Sequence, residues 1–167
     1  MKTKTKLGIV FILSILFFFF IPTLIDAEEI TSPYLSWMQD RCAIYDVPFE
    51  IVISIAIVES NFRNVRSPIN SNGTFDVGIM QLNDRYADWF EKAFWYKDRS
   101  FDIWDAEDNI EMGILYLKHL YKQTGNWDLA VRAYNTGLYG LKTFPDRSHA
   151  YLVKVINVLN TLHIREF

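Results

Sequence analysis

Apolar positions recur at helical spacing along most of the chain. Phe49, Val52, Ile53, Ala56 and Ile57 follow three- and four-residue steps, and the positions between them are apolar too. The segment opened by Asp46-Val47-Pro48 and closed near Ser60 therefore predicts a central helix, covered on nearly every side. Upstream, Ser32-Pro33 pairs an N-cap with a proline at the first helical position and predicts a helix through Ile44. Residues 84–94 predict a further helix. Asp105 caps a longer one, to about Gln123, with Ile110, Ile114, Leu117 and Tyr121 as its stripe and Gly125 as its stop. Asn126 caps the next, through Tyr134, ended by Asn135-Thr136-Gly137. Ser148 starts the last, with Leu152, Val155, Ile156 and Leu159 facing inward. Residues 64–78 break the pattern with Asn64, Ser67, Pro68, Asn70, Ser71, Asn72, Gly73 and Thr74. Asn72-Gly73 among them predicts a tight hairpin. There is no repeat, and no linker long enough to divide the pattern. The expected fold class is mainly α (α+β), a compact helical domain with a small polar β-hairpin lobe.

The first 27 residues stand apart. Lys2, Lys4 and Lys6 precede an apolar run, Leu7 to Ile21, broken only by Gly8 and Ser14; Pro22 interrupts it and the chain turns polar at Asp26. This is the layout of a secretory signal peptide cut after Ala27, leaving a domain at 28–167. Ile25, at the −3 position, is larger than usual there. An uncleaved membrane anchor is the other reading, and the only membrane contact expected. An exported chain would reside in the periplasm or cell wall.

Composition narrows the function classes. An apolar share of 50% and an aromatic share of 16% exclude a disordered chain. The net charge is −3, and loss of three lysines and one aspartate with the leader takes it to −5. A nucleic-acid binder that neutralises phosphates is not expected. One cysteine, Cys42, permits no internal disulfide and no Cys-based zinc site, and the three histidines are scattered. No metal and no cofactor are expected, and Cys42 reads as a small buried apolar residue.

Chemistry is concentrated in a few polar residues. Glu59 ends an almost wholly apolar helix, where desolvation and the negative end of the helix dipole both raise a carboxyl pKa. A carboxyl protonated near neutrality suits a general acid. A surface glutamate, or a salt bridge to Arg63 one turn on, is the alternative, and spacing alone leaves both readings open. Asp76 lies seventeen residues further, in the turn-rich segment. It is either the second carboxylate of a cleft or a residue bonding its local backbone. Gln81, within Gly78-Ile79-Met80-Gln81-Leu82, needs a backbone or ligand partner. Tyr134 reads as core and Asn135 as a helix cap.

Four blocks then occur in order: Glu59-Ser60-Asn61-Phe62; Gly78-Ile79-Met80-Gln81-Leu82; Asn109-Ile110 with Gly113 and Tyr116-Leu117; and Ala133-Tyr134-Asn135-Thr136-Gly137. Together they resemble the soluble-lytic-transglycosylase, goose-type-lysozyme-like domain. The segment Asn72 to Gly78 resembles the small single-domain transglycosylases associated with secretion, conjugation and pilus machines. It is also similar to the hairpin of animal c-type lysozymes, but those are disulfide-rich and one cysteine cannot supply that framework. The resemblance implies a lysozyme-like fold with a glycan cleft and a catalytic Glu59. It implies that Ser60, Gln81 and Tyr134 line the cleft, that Asn135 stands beside them in a structural role, and that Met80 forms part of a sugar-facing wall. Ser67-Pro68 is similar to a family segment near the active site. The following Ile69-Asn70-Ser71-Asn72 departs from the glycine-rich version, so no role is carried onto Ser67.

The implied substrate is the glycan of peptidoglycan, cut between N-acetylmuramic acid and N-acetylglucosamine with formation of a 1,6-anhydro end. Glu59 would act as acid and then as base. The implied partners are glycan strands and a cell-envelope secretion, pilus or motility machine. Two rivals remain at this point: a lysozyme-type hydrolase using Glu59 with Asp76, and a catalytically silent wall-binding assembly factor.

Overall fold

The computed structural model describes residues 34–93 and 100–165. The readings of residues 1–27 and of Ser32-Pro33 lie outside them. Helix α1, Tyr34–Tyr45, turns Met38 and Cys42 inward, one turn apart. Cys42 is a free, buried thiol whose pKa burial pushes up to about 12, with the Glu50 charge adding to the effect. Helix α2, Phe49–Ser60, buries every side chain from Val52 to Ile57. A helix so apolar fits only at the centre of a domain. It ends in a left-handed turn: Asn61 and Phe62 have φ of 55° and 58°. Their N–H groups return to the Ile57 and Ala56 carbonyls at 2.9 and 3.2 Å, which satisfies the open end of the helix.

The polar lobe follows. Strands β1, Asp76–Val77, and β2, Leu82–Asn83, pair antiparallel with Asp76 opposite Asn83 and Val77 opposite Leu82. The turn between them is Gly78–Gln81, not Asn72-Gly73. Gly78 supplies the required positive φ of 81°. Asn72-Gly73 instead turns the chain within Asn70–Thr74, so that Arg66 bridges to Val77. The lobe thus has three short limbs, and the dipeptide sits at the first bend. A 3₁₀ turn, Asp84–Tyr86, leads into α3, Ala87–Ala93.

Helix α4, Ala106–Thr124, is capped by Asp105, whose carboxylate accepts the Glu107 and Asp108 N–H groups, and ends at Gly125 with φ 66°. Both boundaries agree with the sequence. Helix α5, Trp127–Thr143, begins at Asn126 as expected but does not stop at Tyr134. Gly137 leaves helical geometry (φ 69°, ψ 168°) and the helix resumes beyond it. Helix α6, Pro145–Arg165, starts one turn before Ser148. Pro145 is suited to the first helical position, where no N–H is needed. Ser148 lies fully buried, donating to the Pro145 carbonyl at 2.9 Å and accepting from Arg132. Leu152 and Val155 face the core, whereas Ile156 is 38% exposed and Leu159 is half-buried. The buried stripe of α6 is narrower than its apolar spacing.

Helix α4 packs against α1 and α5, and α6 packs against α5 and α2. Met38, Ile55, Ile110, Ile114 and Leu117 are wholly buried between them, each worth about 1.5–3 kcal/mol. The result is a mainly helical domain whose small sheet lies beside the end of α2.

Candidate active site

The end of α2 faces a cleft of about 750 Å³, with Glu59 in its wall. Glu59 is half-buried. Tyr151, on α6, donates its hydroxyl to Glu59 Oε1 at 2.5 Å. Burial is the main force on this carboxyl and raises its pKa. The Tyr151 hydrogen bond opposes that, the Asp76 charge adds to it, and the Lys154 charge opposes it; together they hold Glu59 at about 7. The salt bridge considered from the sequence is not formed: Arg63 Nε donates to the Ser60 carbonyl at 3.1 Å. Glu59 therefore keeps one oxygen on a neutral phenol and can hold or release a proton near neutrality.

Asp76 lines the same cleft. Asn83 Nδ2 donates to its Oδ1 at 2.8 Å and Asn70 Nδ2 to its Oδ2 at 3.3 Å. Its own N–H donates to Ser67 Oγ at 2.8 Å. The local bonding expected of an aspartate in a turn-rich segment is present, through side-chain amides rather than backbone. Gln81 also reaches the cleft, with φ of 47°, and its Nε2 donates to the Gly78 and Val65 carbonyls at 2.8 and 3.0 Å. The partner it needed is backbone.

Two expected cleft residues face elsewhere. Ser60 is buried, with its hydroxyl donating to the Ile79 carbonyl at 2.8 Å and accepting the Arg63 N–H. It joins the end of α2 to the hairpin turn. Met80 is fully buried and packs on Gly113, where a Cβ would come within 2.7 Å of its side chain. It is core, not a sugar-facing wall. Tyr134 is buried yet reaches the cleft edge, its hydroxyl donating to the Met80 carbonyl at 2.9 Å and its ring tilted on Tyr116. Asn135 lies beside it in the cleft wall.

Asn109, from α4, completes the support. It is wholly buried; Nδ2 donates to the Val77 and Ile103 carbonyls at 2.9 and 3.0 Å, and Oδ1 accepts the Met80 N–H at 2.9 Å. A Cβ on Gly78 would lie 2.2 Å from Asn109, so only glycine admits this approach. Ser60, Asn109 and Tyr134 thus hold four backbone atoms of residues 77–80. The four sequence blocks form one hydrogen-bonded assembly around the hairpin turn.

The model of the transglycosylase SLT domain matches residues 36–150, more than half of the chain. The chain belongs to this family. Among solved structures, the SLT domain resembles an inactive mutant of the lytic transglycosylase Slt from Pseudomonas aeruginosa. That match has 20% identity and a TM-score of 0.61 over 76% of this chain and 23% of that one, a likeness of fold. It also resembles the 70 kDa soluble lytic transglycosylase SLT70 from Escherichia coli: 25% identity, TM-score 0.57, over 80% of this chain and 22% of that one. A complex of the 70 kDa enzyme with bulgecin A gives 26% identity and a TM-score of 0.55 over 77% and 22%. The chain spans less than a quarter of the length of these structures. No curated protein matches it.

The sequence alone missed part of this SLT domain's cleft. Tyr151 lies 92 residues from Glu59 and carried no local signal. Trp89 is 40% exposed in the cleft, with its ring edge-on to Tyr116 and His119. A large aromatic left open beside polar groups was the available hint, but the sequence could not separate it from core rings.

Proposed function

We propose that the chain is a peptidoglycan lytic transglycosylase with Glu59 as its catalytic acid and base. The observation that carries this reading is a carboxyl held at about 7 in the wall of a glycan-sized cleft. Protonated Glu59 gives its proton to the oxygen bridging N-acetylmuramic acid and N-acetylglucosamine. The bond breaks, and positive charge grows at C1 of the muramic residue. The Glu59 carboxylate then takes the proton of that residue's C6 hydroxyl, which closes on C1. The product is a 1,6-anhydro end and no water is consumed. One carboxyl serves twice because the nucleophile belongs to the substrate, at high effective concentration. The Tyr151 hydroxyl holds Glu59 in both states.

Family membership supports the substrate class, as do the names of the similar enzymes. Residues 1–27 support an exported protein of the periplasm or cell wall, where a secretion, pilus or motility machine would be its partner. The second reading is hydrolysis, with Asp76 stabilising the cation or activating water; the place of Asp76 in the same cleft favours it. Its two amide donors favour a structural role instead.

Wall clearing tests the first reading. Glu59→Gln folds as wild type and clears murein at least about a hundredfold more slowly, the scale of general acid catalysis. Clearing at the wild-type rate overturns both enzymatic readings.

A further inference from the structure

Six arginine side chains fall in the described residues whose surroundings are defined. Four have side-chain partners within the protein, although Arg63 and Arg66 are exposed. Arg41 lies 3.7 Å from Glu111 and over the Trp37 ring. Arg63 donates to the Ser60 carbonyl, Arg66 covers the Phe75 ring, and Arg132 donates to Ser148. The other two, Arg85 and Arg147, are exposed, and both line the cleft. Neither guanidinium meets a partner among the described residues. In a chain of net charge −3, the two unengaged arginines share one cavity.

Each lies close along the chain to a residue that holds one of the two cleft carboxyls. Arg147 precedes Tyr151 by four residues on α6, so it stands on the same face about 6 Å along the axis. Tyr151 holds Glu59. Arg85 lies in the 3₁₀ turn after β2, two residues beyond Asn83, which holds Asp76. Both residues line the cleft that Glu59 also lines, where a glycan bound for Glu59 chemistry would lie.

The N-acetylated sugar rings of such a glycan are uncharged. Its carboxylates enter through the lactyl arm of muramic acid: the arm's own carboxylate in a denuded strand, and those of the stem peptide in a substituted one. A guanidinium fork matches a carboxylate in charge and geometry. Resting on the function proposed above, we propose that Arg85 and Arg147 determine specificity by binding carboxylates carried on the muramic lactyl arm.

Steady-state kinetics of the full chain on three glycan preparations tests this. One bears stem peptides, one is denuded by an amidase, and one is denuded with its lactyl carboxylates coupled to methylamine. Arg85→Gln and Arg147→Gln each raise KM about tenfold on a carboxylate-bearing strand, with kcat retained. On the neutralised strand wild type and variants share one KM. A rise confined to peptide-bearing strands assigns the stem carboxylates; a rise confined to denuded strands assigns the lactyl group. No rise on either anionic strand, or an equal rise on the neutralised one, overturns the proposal. Wild-type chain that cuts none of the three overturns the transglycosylase reading and this one with it. That outcome is distinct from a chain that cuts all three regardless of the arginines.

Discussion

Glu59→Gln should stabilise the protein, and by an amount that depends on pH. The wild-type carboxyl titrates at about 7 in the folded chain, against an ordinary value of 4.5. Between those values the folded state holds a proton that the unfolded chain has released, so wild-type stability falls as pH rises through that window. A displacement of this size corresponds to about 3 kcal/mol. Glutamine is neutral throughout, and its side-chain oxygen can still accept the Tyr151 hydrogen bond. At pH 4.5 the variant and wild type should differ by less than about 1 kcal/mol. At pH 8 the variant should be more stable by about 3 kcal/mol, a shift in urea midpoint of roughly 1 M or more. Urea titrations of both proteins across this range, with shared slopes, measure the difference. Equal midpoints at pH 8, or a gap that narrows from pH 4.5 to 8, would refute the claim that burial raises this carboxyl.

Tyr151→Phe removes the hydrogen bond that lowers the Glu59 pKa. The alkaline limb of lytic activity, set by loss of the Glu59 proton, should move to higher pH; a pH–rate profile moving the other way counts against the assignment. Asp76→Asn removes a charge that raises the same pKa, so that limb should move to lower pH while clearing of murein persists. A hundredfold or greater loss would instead favour the hydrolase reading. Asn109→Ala strips partners from the Val77 and Ile103 carbonyls and the Met80 N–H. It should cost about 3–5 kcal/mol in denaturant titration, and a loss under about 1 kcal/mol would show that the hairpin turn does not depend on it.

Glu59 was legible because burial of its carboxyl follows from the apolar run before it, a local property of α2. The boundaries of α4 were legible for the same reason, since Asp105 and Gly125 act on backbone groups within a turn of themselves. Asn109 and Gly113 stood in a recognisable block, but their physical role was not legible. It arises only where α4 meets a turn some thirty residues earlier. Gly113 carried a clue, since glycine inside a helix is unfavourable by about 1 kcal/mol and implies something packed against it; that something is Met80. The same packing removed Met80 from the cleft wall, and Ser60 turned inward to the Ile79 carbonyl. Periodicity misplaced Ile156 because an apolar spacing says which residues share a face, not how much of that face a neighbour covers. Asn72-Gly73 signalled a bend correctly but not which limbs would pair, because Gly78 offers the same backbone freedom five residues after Gly73. Tyr151 reaches Glu59, and Arg147 comes to line the same cleft as Arg85, only through the packing of α6 beside the hairpin lobe.

The most direct test of the central claim is mass spectrometry of murein digested by the full chain, with Glu59→Gln as the control. Transglycosylase action by Glu59 predicts muropeptides ending in 1,6-anhydro-muramic acid, each lighter by one water than its hydrolytic counterpart, and absent from the control digest. Hydrated reducing ends without anhydro ends would contradict it.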